Sequence, residues 1–70
     1  MSKQYTVLTD YRDGGNADKQ FKNRETAIRF SEEELKWENT LSVSVLEETE
    51  DGSENEILNE EGSFAWTLNP

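Results

Sequence analysis

The spacing of apolar and aromatic residues changes period twice along this chain, and that change constrains the fold more than any single motif. From Gln4 to Arg12, Tyr5, Val7, Thr9 and Tyr11 alternate with Thr6, Leu8 and Asp10, the two-residue period of a strand with one buried face. From Arg24 to about Trp37, good helix formers follow one another without Gly or Pro. A step of about 100° per residue puts Ala27, Ile28, Ser31 and Leu35 on one helical face. Over Leu41–Glu48 the two-residue period returns, predicting Leu41, Val43 and Val45 inward and Ser42 and Ser44 outward. A weaker strand is expected over Glu54–Leu58 around Ile57, and another over Ser63–Leu68, with Phe64, Trp66 and Leu68 on one face.

The residues between these segments are turn and cap formers. Asp13-Gly14-Gly15-Asn16 and Thr49-Glu50-Asp51-Gly52 both read as hairpin turns that need positive φ, and Asn59-Glu60-Glu61-Gly62 as a further turn. Between the first turn and the helix, Asp18–Lys22, centred on Phe21, is either a short returning strand or an extended arm. Asn23 is placed to cap the helix, because its side-chain oxygen accepts from first-turn amides, and Glu25 suits the positive end of the helix dipole. Glu25–Arg29 and Glu32–Lys36 have the spacing of favourable i,i+4 pairs, and Asn39-Thr40 ends the helix. The expectation is one α+β domain over 1–70, order β(β)αβββ, with a single helix packed on a mostly antiparallel sheet of four to five strands. Val7, Ile28, Leu35, Val43, Val45 and Trp66 are the expected core, and the last three strands a meander.

A chain of 70 residues supports one hydrophobic core at most, and this one has no cysteine for a disulfide and no histidine. Apolar residues make up 31% and the net charge is −9, a balance that leans towards disorder. Two Trp, two Tyr and three Phe at regular intervals argue for a folded chain. The opening Met-Ser-Lys-Gln is polar rather than signal-like, and no stretch nears the ~20 apolar residues of a membrane span, so a cytoplasmic protein is expected.

Charge is distributed unevenly along the sequence. All seven basic side chains lie in residues 1–36, where acidic ones balance them, and residues 37–70 hold no Lys or Arg. Glu47, Glu48, Glu50, Asp51, Glu54 and Glu56 crowd the predicted second hairpin with no basic neighbour in sequence. Such a field repels nucleic acid and anionic membranes and attracts basic protein surfaces, so direct binding to either of the first two is not expected. The same carboxylates are of the type that binds calcium. Setting Gly52 at the obligatory glycine of an EF-hand loop, however, puts Leu58 where a bidentate Glu is required, so no metal site is expected. Without Cys or His the usual nucleophile–base pairs cannot form. No phosphate-loop pattern surrounds Gly14-Gly15, and no enzyme or cofactor is expected. A second candidate surface lies on the helix, where Phe30 and Trp37 fall together on one face near Glu33 and Glu34. The leading expectation is therefore a small acidic interaction module for a basic protein surface, in its sharpest form a nucleic-acid mimic inhibiting a DNA- or RNA-processing enzyme, as phages and mobile elements encode. The alternative is a structural domain without a ligand, pairing as a homodimer through a sheet edge.

Overall fold

The computed structural model describes residues 3–62, and the expected strand over Ser63–Leu68, with Trp66, lies outside them. One helix packs on a four-stranded antiparallel sheet. The elements are β1 (Gln4–Tyr11), β2 (Asn16–Phe21), α1 (Arg24–Leu35), β3 (Thr40–Glu48) and β4 (Glu54–Glu61). The strand order, unreadable from the sequence, is β2-β1-β3-β4. Because β2 and β3 both run antiparallel to β1, they are parallel to each other, and α1 is the connection that carries the chain over β1.

The two hairpins are closed by the same device. Asp13 Oδ1 accepts from the Gly15 amide at 2.9 Å, and Asp51 Oδ1 accepts from the Ser53 amide at 2.9 Å. Between them sit Gly14 at φ +92° and Gly52 at φ +87°, a conformation that penalises any Cβ. Tyr11 N–H to Gly15 O and Thr49 N–H to Ser53 O, both 2.9 Å, complete three-residue loops. The helix begins where Asn23 Oδ1 accepts from the Thr26 amide at 3.2 Å. It ends at Leu35 rather than near Trp37, with Lys36 as C-cap, and Lys36 pairs with Glu33 at 3.2 Å rather than across the expected four-residue spacing.

The helix rests on the sheet through small side chains. Ala27 and Ser31, one turn apart, are fully buried against Val7, Val43 and Val45, which lets the helix approach the sheet closely. Tyr5 and Thr9 complete the buried face of β1 at the expected alternate positions. Ile28 and Leu35, expected in the core, are only half-buried at its margin, because the small pair takes the central stripe.

Two bulges set which side chains face the helix. Asp10 pairs with Ser42 but Tyr11 pairs with Thr40, so Leu41 is an extra residue on β3. The parity flip turns Thr40 inward and Leu41 outward, at 37% exposure, which corrects the expectation for Leu41. Likewise Val45 pairs with Leu58 but Leu46 with Glu56, so Ile57 is extra on β4 and both Ile57 and Leu58 touch the core. That bulge lets β4 run on to Glu61, where the sequence reads as a turn.

Candidate functional site

The register fixes which acidic side chains share a surface. Opposite residues on neighbouring strands point to the same side, and Val7, Val43 and Val45 mark the side under the helix. The other side carries, in rows across β2-β1-β3-β4, Asn16, Asp10, Ser42 and Glu61, then Asp18, Leu8, Ser44 and Asn59. The next rows are Gln20, Thr6, Leu46 and Glu56, then Gln4, Glu48 and Glu54. No described element covers this outer face. Asp10, Asp18, Glu48, Glu54, Glu56 and Glu61 supply its carboxylates, and none of its positions is Lys or Arg.

The acidic hairpin residues therefore separate. Glu48, Glu54 and Glu56 lie on the outer face, with Glu48 directly opposite Glu54 and Asn59 Nδ2 donating to Glu56 Oε1 at 3.3 Å. Glu47 points the other way, accepts from the Tyr5 hydroxyl at 3.1 Å, and has Lys3 Nζ at 3.8 Å. Burial and then this hydrogen bond push the Tyr5 phenol above its ordinary pKa. Asp51 holds the turn, and donation from the Thr49 hydroxyl and then the Ser53 amide lowers its carboxyl to about 2. Glu50 stands at the same tip beside a cleft lined by Lys3, Lys22 and Glu48. The hairpin is thus not free of basic neighbours, as its sequence implies; the N-terminal half brings them.

The helix surface also divides. Phe30 packs on Phe21, ring centroids 5.2 Å apart, with Lys19 Nζ 5.3 Å from the Phe30 centroid. Glu34 accepts from the Tyr11 hydroxyl at 3.1 Å. Trp37 lies beyond the helix end and is 63% exposed, so Phe30 and Trp37 do not form one aromatic face. Among the described residues no group of His, Cys, Asp or Glu is arranged to hold a metal ion, and no helix is long and apolar enough to cross a membrane.

Asp10 and Asp18 belong to the charge-balanced half, where the sequence predicts carboxylates that matter little to a partner, and Glu61 is not among the expected partner-binding residues. Their signal was present in part: Asp10 and Leu8 occupy the outward parity of β1, but only the strand order brings β2 and β4 onto the same face. Fold and surface together define a small ββαββ domain with an acidic sheet face that no described element covers. Comparison with known families, characterised proteins and solved structures finds no match.

Proposed function

We propose that this domain is a non-enzymatic interaction module that lays its outer sheet face against a basic protein surface. One observation carries the reading. The paired positions of the outer face hold six of the sixteen acidic side chains and no basic one, with Lys3 and Lys22 lining a cleft beside Gln4 and Glu48 at one end of it. Like charges directly opposite on adjacent strands destabilise a sheet, and Glu48 nevertheless faces Glu54. A face kept negative against that cost is explained by a positive partner. In the sharpest form of this reading the carboxylates stand in for phosphates and occupy the nucleic-acid site of a DNA- or RNA-processing protein in the cytoplasm.

The structural alternative, an edge-to-edge homodimer, has features working against it. On the β4 edge, Glu54, Glu56, Glu60 and Glu61 and the Ile57 bulge oppose pairing, and on the β2 edge Lys19 points to the helix side. The test is capture from native extract with wild type, with Glu54→Gln/Glu56→Gln/Glu61→Gln, and with Glu32→Gln/Glu33→Gln/Glu38→Gln as a control on the helix side. The expected partner is basic, is lost at high salt and from the β4 triple variant, stays with the control, and competes with nucleic acid. Equal retention by both variants, or capture insensitive to salt, refutes the reading.

A further inference from the structure

Three leucines interrupt the polar outer face: Leu46 is half-buried, Leu41 at the β3 bulge is 37% exposed, and Leu8, in the middle of β1, is 38% exposed. Leu8 supplies the apolar side chain of an open recess of about 370 Å³ that is also lined by Asp10, Asn16, Asp18, Ser44 and the β1 and β2 strands at Thr9 and Ala17. Asp18 and Ser44 are the direct cross-strand neighbours of Leu8, and Asn16 is that of Asp10. Asp10 and Asp18 are therefore diagonal neighbours on adjacent strands, a separation of about 7–8 Å.

We propose that this recess receives an arginine side chain of the basic partner, an inference that rests on the acidic-face reading and names its central contact. A guanidinium has weakly hydrated flat faces and charged N–H edges. Laid on Leu8, its face covers the exposed apolar surface while its edges reach Asp10 on one side and Asp18 on the other. The amide oxygen of Asn16 and the hydroxyl oxygen of Ser44 offer further acceptors within the same walls. A lysine ammonium meets the charge requirement but not the apolar floor, because it is a compact and strongly hydrated point charge. The recess thus converts a non-selective negative face into one that prefers arginine.

The test follows backbone amide resonances of the full chain during titration with acetyl-Gly-Arg-Gly-Arg-Gly-amide and with the lysine peptide of equal charge. Shifts should centre on Leu8, Ala17, Asp18 and Ser44, and the arginine peptide should bind roughly fivefold more tightly. Asp18→Asn should weaken the arginine peptide ~10-fold, as loss of a hydrogen bond to a charged group does. Leu8→Thr, which keeps strand propensity and removes the floor, should abolish the preference while retaining the charge. The β4 triple variant should weaken both peptides alike. Equal affinity for both peptides, with shifts spread over β3 and β4, overturns the recess and leaves the acidic face standing. Absence of saturable shifts on the outer face with either peptide overturns both.

Discussion

Thr40→Val should make this protein more stable, and the reason lies in the β3 bulge. The extra residue at Leu41 turns Thr40 under the helix, where it is fully buried and its Oγ1 has no hydrogen-bond partner among the described residues. A buried polar group without a partner costs about 1–3 kcal/mol by protein mutational measures. Valine has the same shape, keeps the β-branch that suits a strand, and puts a methyl group where the hydroxyl was. At ~2.1 cal/mol/K per residue, a chain of 70 residues unfolds with an entropy near 0.15 kcal/mol/K. A gain of about 1–3 kcal/mol then raises Tm by roughly 7–20 °C. Thermal unfolding followed by circular dichroism, with urea unfolding at a fixed temperature, measures it. Ser31→Ala is the contrast, since that equally buried hydroxyl donates to the Ile28 carbonyl at 2.6 Å. Losing a satisfied bond costs about 0.5–1.5 kcal/mol, partly offset by the helix propensity of alanine, so no gain is expected there. An unchanged or lowered Tm for Thr40→Val would mean that the hydroxyl is satisfied in the folded protein and that the bulge argument is wrong.

Val45→Ala removes two methyl-sized groups at ~0.8 kcal/mol each and leaves a cavity, about 2–3 kcal/mol in all. The urea midpoint should fall with an unchanged slope. Leu35→Ala, at the margin of the core, should cost less than the ~2.7–5 kcal/mol of an enclosed leucine, and a larger loss would put the helix closer to the sheet on that side. Asp51 is more acidic folded than unfolded, so its contribution is complete above the unfolded pKa of 3.8 and is lost as pH falls through about 2. The stability difference between wild type and Asp51→Asn should accordingly be present at pH 5 and shrink between pH 4 and pH 2, and a difference independent of pH there would refute the role of the turn carboxylate.

The sequence shows its elements clearly because each rests on local chemistry: the alternation of Tyr5, Val7 and Thr9, the Asn23 cap, and the Asp-Gly pairs that close the hairpins. The errors arise where a non-local contact overrules a local pattern. Alternation predicts Leu41 inward, but the register of β3 against β1 inserts it as a bulge, and nothing in the local sequence marks that. Asn59-Glu60-Glu61-Gly62 has the composition of a turn and is extended because β3 offers Ser42, Val43 and Ser44 as pairing partners. Helical periodicity places Phe30 with Trp37, but it holds only while the helix continues, and the helix stops between them. Along the chain the charge falls into a balanced half and an acidic half, whereas the fold sorts charge by face. Glu47 and Asp51 have structural partners, and Asp10 and Asp18 from the balanced half join the open surface.

Solubility alone does not account for that sorting. A small domain stays soluble with both signs interspersed over its surface. Every charged side chain of the chain falls within residues 3–62, so the account of charge is complete even though Ser63–Pro70 are not described. Lys3 lies by Glu47, Lys19 over Phe30, and Lys36 by Glu33, while Arg12 Nη1 donates to the Glu38 carbonyl at 3.0 Å. Each of these contacts draws a positive charge to the helix side or to an end of the sheet, Arg24 and Arg29 are on α1 itself, and Lys22 lies by Gln4 and Glu48 at one end of the outer face. The consequence is a molecule with a negative face and a nearly balanced back. Such a charge distribution orients approach as well as hastening it, because a basic partner meets the attractive side first. Strand parity does the sorting: β1 and β3 put Val7, Val43 and Val45 under the helix and Asp10, Ser42, Ser44 and Glu48 outward. The alternation that builds the core is therefore also what assembles the charged surface, and a one-residue slip in β1 or β3 would disrupt both together.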